Sequence, residues 1–308
     1  MPTGRWRIGR HAVAAVTAVV LLSVTLCANA RSGSQDDPCQ SQGAGQIPAR
    51  PHDALTGSQF AKQIEQLNGE PRELLIEALA SAGDIPDFLR HLIPIRLQLI
   101  GPAGPKQLVF CAAPDYLAIG SDDDYLLTPM RLETALRIAT RFGFLLPTPK
   151  MVDAIYEQAD RQLVPQPLPA SDQMRSTAYY LHHNALIEAQ RETSGVSPGD
   201  LVAGHKKDLV LTNRLWANPD RVAIYGWHEG QGSPIQPLST VHGWRYADYS
   251  HGIRLISSRI FVDGRPGSLL EALGDPRLSR ALTSEGPLRN AADLIASLES
   301  LGVGTLLP

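Results

Sequence analysis

The stretch IRLQLIGPAGPKQLVFC (residues 95–111) decides the fold class. Two short apolar runs, 95–100 and 106–111, flank a break of Gly and Pro at 101–105, which predicts two antiparallel strands joined as a hairpin. Working outward, residues 115–119 and 125–127 are further short runs, and Gly120-Ser121-Asp122-Asp123 between them reads as a second hairpin tip. The three acids at 122–124 lack the alternating ligands and Gly of a calcium loop. Helical spacing surrounds these runs. Residues 71–82 place Leu74, Leu75, Ala78 and Leu79 on one stripe, with Pro71 in the first turn and Gly83 as the stop. Thr128-Pro129 predicts a helix start for the stripe Leu132, Ala135, Leu136, Ala139 and Phe142. A second helix is expected from 149 to about 163, and a longer one from the cap Ser171 to Gly195. Residues 208–212, 221–225, 253–257 and 260–262 read as strands, Asp263-Gly264 as a turn, and short helices close the chain. Strands and helices come in groups. That predicts one α+β domain over 57–308, with a mixed or antiparallel sheet, an N-terminal helical lobe and short C-terminal helices.

The first thirty residues are of another kind. Arg5, Arg7 and Arg10 precede an apolar run from 12 to 27, and Ala28-Asn29-Ala30 supplies the small residues of a cleavage site. This is the pattern of a secretory signal peptide, so the membrane is met only during export and the product is secreted or periplasmic. Residues 31–56, rich in Gln, Ser, Gly, Pro and Asp, read as a linker or loose arm. Removing three Arg with the signal takes the formal charge from −3 to −6. No basic excess points to a nucleic-acid partner. Hydrophobic residues at 43% and charged ones at 19% also exclude a disordered chain, a coiled coil and a polytopic membrane protein. Of three cysteines, Cys39 and Cys111 outlast cleavage, and an oxidising compartment favours one bridge between them.

Six of the nine His lie between 182 and 251, with Trp216, Trp227 and Trp244 in the same stretch. Amphipathic rings at that density suit a wet, shaped cleft. Three segments carry the chemistry. Gly204-His205-Lys206-Lys207-Asp208 opens a strand and offers a base, a cation and a carboxylate, though Lys206 by itself suits a solvated turn equally well. Tyr225-Gly226-Trp227-His228 ends another strand, where a buried, hydrogen-bonded His is the competing reading. The run from Ser239 to Gly252 holds His242, Asp248 and His251 among Trp244, Tyr246 and Tyr249, with Gly after each His. Imidazole and carboxylate together can bind a metal, for which zinc is the candidate, or pair as base and orienting group. The run differs from the His-Gly-Ala-Asp order of zinc peptidases that act on D-alanyl peptides, and there is no H-E-x-x-H or G-x-S-x-G. In the adjacent pair His182-His183, helix geometry sends only one ring towards a cleft, and His183 is the better placed.

The expected function is an exported hydrolase acting on a cell-wall peptide, amide or glycan. Its catalytic candidates are His205, Lys207, Asp208, His228, His242, Asp248 and His251, and its substrate-binding candidates are Trp227, Trp244, Tyr246 and Tyr249. In that scheme His242 or His251 is the base and Asp248 orients it. His205 with Lys207 stabilises negative charge, and His228 completes the pocket. The alternative is a secreted glycan-binding module that stacks sugars on exposed Trp and Tyr rings.

Overall fold

A computed structural model describes residues 37–40, 47–102, 104–230 and 233–301, and the expected signal peptide lies outside them. Helices α1 (Gly57–Ile64) and α2 (Glu70–Ala82) lead into strands β1 (Ile93–Gly101) and β2 (Gly104–Ala112). Next come β3 (Ala118–Gly120), β4 (Tyr125–Leu127), α3 (Leu132–Arg141), β5 (Phe144–Leu145), α4 (Pro149–Glu157) and β6 (Arg161–Gln162). The middle of the chain holds α5 (Thr177–Ser194), β7 (Val202–Ala203), β8 (Lys207–Leu209), α6 (Arg214–Ala217), β9 (Ile224–Glu229) and β10 (Ser233–Ser239). It ends with β11 (His251–Gly252), β12 (Ile256–Val262), β13 (Arg265–Ser268), α7 (Leu269–Gly274), α8 (Ser279–Leu282) and α9 (Ala291–Glu299). The fold is α+β, as the grouping of runs predicts.

The hairpin read at 95–111 forms, with β1 and β2 in register from Ile93 opposite Ala112 to Gly101 opposite Gly104. It belongs to a sheet of order β1-β2-β12-β13, with β5 also on β12, all antiparallel. Its inner face supplies Ile95, Leu108, Phe110 and Ile260 to one apolar core shared with Leu136 of α3, Ile155 of α4 and Leu298 of α9. The second sheet, β10-β9-β8-β11, is smaller and carries the candidate site. There β8 pairs antiparallel with β9 and parallel with β11.

Local expectations differ at four places. Thr128 does not cap α3: its hydroxyl donates to Leu117 O at 3.1 Å, binding the β3–β4 hairpin, and the helix begins after Arg131. Helix α4 stops at Glu157, because residues 161–162 leave to pair in parallel with β7. Ser171 caps a single 3₁₀ turn, and Ser176 caps α5, accepting from Tyr179 N at 3.2 Å. Strand β10 carries no signal because Pro234 and Pro237 interrupt it, which an edge strand tolerates.

Residues 37–40 and 47–56 are tied down: Cys39 is bridged to Cys111, and both Cys39 and Ile47 are part of the core. Such a bridge fits a secreted protein. Among the described residues no helix is long and apolar enough to cross a membrane. The bridge closes 72 residues of chain, so replacing both cysteines by Ser is expected to cost about 4 kcal/mol of stability by the chain-entropy argument. Urea titration of the two proteins measures it, and an unchanged midpoint would mean that core packing alone holds the N-terminal arm.

Candidate active site

The alternation of strand β8 divides the chemistry into two groups. Lys207 is the register partner of His251 on β11, and Asp208 is the partner of Gly252. Neighbouring residues of a strand point to opposite faces, so Lys207 and His251 leave one face together while Asp208 leaves the other. Gly252 is required for this: a Cβ there would lie 2.6 Å from the Tyr116 ring and 2.7 Å from Lys206 Cβ.

The first face gathers Lys207, His242, Tyr246, Asp248 and His251. The Tyr246 hydroxyl donates to Asp248 Oδ2 at 2.9 Å. Asp248 Oδ1 accepts from the Ser250 hydroxyl at 2.5 Å and from Ser250 N at 2.8 Å. The half-buried His242 ring stacks on Tyr246 at 3.9 Å between centroids and 8° between planes. The His251 ring lies 5.8 Å from that of Tyr246, buried, with neither nitrogen hydrogen-bonded. Burial works to raise the Asp248 carboxyl, but the nearby His251 ring, the Lys207 ammonium and the Ser250 bonds outweigh it and hold the group below its usual range. Burial pushes His251 down to about 4 against the opposing pull of Asp248, and it lowers His242 and Lys207 as well. At neutral pH this face therefore presents a carboxylate and neutral imidazoles beside an ammonium.

The second group is a set of pairs in which Asp208, His205 and His228 are buried, while Asp153, the partner of His228, is half-buried. Asp208 accepts from the Tyr116 hydroxyl at 2.9 Å, and burial raises its carboxyl to about 6 although Arg254 opposes the shift. His205 sits 3.4 Å from Asp115 Oδ1 with Arg191 on the same carboxylate, and burial lowers its ring to about 4. His228 Nε2 lies 2.9 Å from Asp153 Oδ1, which also accepts from the Tyr225 hydroxyl at 2.8 Å, and its ring stacks on Tyr156. These imidazoles have carboxylate partners of their own, and the structure does not bring His205, Asp208 or His228 onto the Lys207–His251 face.

Among the rings, Trp227 and Tyr249 are buried and form a small apolar cluster with Tyr180. Trp227 is held at φ 57°, a left-handed conformation that costs a non-glycine residue about 1 kcal/mol or more. Its backbone N–H donates to Lys206 O at 3.1 Å and its indole N–H to His205 O at 3.2 Å, which fixes the ring under the Lys207 ammonium, 4.5 Å from its centroid. Trp244 and Tyr246 stay partly exposed, with the Arg245 guanidinium 4.6 Å from the Trp244 ring. His182 is exposed and His183 buried, its Nδ1 3.1 Å from Lys206 Nζ.

Lys206, which reads equally well as a turn residue, is almost wholly buried. Its ammonium donates to Tyr249 O at 2.6 Å, and burial lowers it from 10.5 to about 7. The unfolded chain keeps that proton up to about pH 10, whereas the folded chain releases it above about 7. Unfolding therefore takes up a proton between these values, and stability rises with pH across the window. Relative to Lys206→Met, the native protein should gain about 2 kcal/mol between pH 7 and 9, read as the difference in urea midpoints at the two pH values. Equal pH dependence in both proteins would place the lysine charge elsewhere.

Among the described residues no three of His, Cys, Asp and Glu are grouped to hold a metal ion. The chain matches none of the family models, curated proteins or solved structures compared with it.

Proposed function

We propose that this chain is an exported hydrolase that cleaves a peptide, amide or glycosidic bond of a polymer outside the cytoplasmic membrane. One observation carries the reading: Lys207, His242, Tyr246, Asp248 and His251 meet on a single face of the small sheet, with both imidazoles neutral. In the acyl-transfer form, His242 is the general base because it stands at the accessible edge. It takes a proton from water as the water oxygen bonds to the substrate carbonyl carbon, and it returns that proton to the leaving amine. The Lys207 ammonium stabilises the oxyanion, and the Asp248 carboxylate holds Tyr246, on which His242 stacks. His251, buried behind this edge, faces the Asp248 carboxylate and does not reach the attacking water. His205 and His228 take no part, since each is committed to its own carboxylate.

The signal-peptide pattern and the Cys39–Cys111 bridge support the extracytoplasmic setting. The burial of Trp227 and Tyr249 removes two of the four rings that a sugar-stacking module would use. Incubating the purified protein with insoluble cell-wall material in isotopically labelled water tests the proposal. Hydrolysis places one labelled oxygen per cut, in the new carboxyl or reducing end found by mass spectrometry, whereas a binding module leaves the material unlabelled.

A further inference from the structure

A large concavity lies beside the proposed catalytic face rather than over it. Arg245 and Ala247, the residues on either side of Tyr246, wall a cavity of about 500 Å³ that opens at the N-termini of α2 and α5. Four guanidinium groups, Arg72, Arg131, Arg175 and Arg245, line it with the carboxyl groups of Glu73 and Asp172, and Arg131 is already paired with Glu70 and lies 3.8 Å from Glu133. Arg72 is the informative one. It is 2% exposed, and its guanidinium donates to Thr177 Oγ1 at 2.7 Å and to Arg175 O at 3.1 Å and faces the Tyr180 ring at 3.8 Å. None of these partners is an anion, and Arg72 Nε, also buried, has no hydrogen-bond partner. The buried Glu73 carboxyl feels the Arg72 charge, but no hydrogen bond or ion pair joins the two. A guanidinium buried with no carboxylate bonded to it is costly, and a cavity that sets Arg175 and Arg245 beside one is suited to receive negative charge. The positive ends of two helices add to the same field. All this occurs in a chain of net charge −3, so the attraction is local and not a property of the whole surface.

We infer that this Arg-lined cavity is a subsite for an oxyanion group, carboxylate or phosphate, carried along an anionic polymer whose adjoining bond is presented to the Tyr246–Asp248 face. Presentation of that bond for cleavage rests on the hydrolase reading, and the binding of the oxyanion does not. Planar guanidinium forks match both kinds of oxyanion, and Arg175, exposed at the rim, supplies the first contact.

Calorimetric titration of the protein purified after export tests this, with polygalacturonate as the carboxylate probe, linear polyphosphate as the phosphate probe and dextran as the uncharged one. At least one polyanion should bind about tenfold or more tighter than dextran, a ratio equivalent to about 1.4 kcal/mol. The pair Arg175→Gln and Arg245→Gln should weaken it by a similar factor, while Arg259→Gln with Arg265→Gln, an equal loss of charge on the exposed face of other strands, should leave it within about twofold. Preference for one probe names the oxyanion. Binding no tighter than dextran, or equal losses in the two double variants, overturns the subsite. Repeating the titration on Asp248→Asn separates the proposals: retained affinity in a protein that cuts nothing leaves the subsite standing alone, and cleavage without polyanion affinity removes only the subsite.

Discussion

Asp115→Ala is expected to destabilise the protein by about 3–5 kcal/mol, a large share of the stability of an ordinary domain. The carboxylate is 1% exposed and serves three groups at once: Arg191 and His205 on its side-chain oxygens and the Tyr116 backbone N–H at 2.7 Å. Arg191, itself buried, also donates to the Tyr125 hydroxyl, so α5 is fastened to β4 and to the 113–117 segment through this one centre. Removing the carboxylate strands a buried guanidinium, which is the costly half of any buried pair. Replacing both partners, as Asp115→Leu with Arg191→Met, should recover much of the loss. The pH dependence has a definite sign. Burial opposes ionisation of Asp115, but Arg191 and then His205 outweigh it and hold the carboxyl far below 3.8. Its stabilisation is therefore complete above about pH 4 and is lost as pH falls below that, and Asp115→Ala should lack this acid limb. A cost under about 1 kcal/mol in urea titration would mean that the centre is wet and screened.

Asp248→Asn is expected to lower turnover by about a hundredfold or more with little change in fold, since Asn preserves the shape. Ser250 can still donate to the amide oxygen in the place of Oδ1, while the amide NH2 in the place of Oδ2 makes the Tyr246 hydroxyl an acceptor, and the negative charge facing His251 and Lys207 is gone. The pH profile separates this role from a packing role. His242 is lowered from 6.5 by burial, so the acid limb of kcat/KM should lie below that value, with a further loss near pH 4 as His251 takes a proton. Asp248 opposes the lowering of both rings, so Asp248→Asn should move both limbs to still lower pH. Limbs that stay in place would show that the carboxylate does not sense the imidazoles.

The fold class and the 95–111 hairpin were legible because turn residues and apolar runs are local signals. So were α2 and its Gly83 stop, where glycine takes φ 86°. Cap positions were less legible, because Thr128 and Ser171 had alternatives that only the folded chain offers: Leu117 O for one, a 3₁₀ turn for the other. Within the candidate site, the run from 239 to 252 supplies His242, Tyr246, Asp248 and His251, which gather beside Lys207. The partition was not legible. Asp115, Asp153 and Tyr116 capture His205, His228 and Asp208 from 75 to 92 residues away, and no spacing rule reports such pairings. Lys206 gave no signal of burial either, since two adjacent lysines in a polar run look solvated until β11 closes over them.

The proposal puts bond cleavage on the Lys207–His251 face and not at the half-buried His228–Asp153 pair. The most direct measurement is the initial rate of fragment release from cell-wall material by His242→Ala and by His228→Ala, each checked for native unfolding behaviour. The account predicts a rate lowered about a hundredfold or more in the first variant and near-native in the second. The reverse order, or two equal rates, would contradict it.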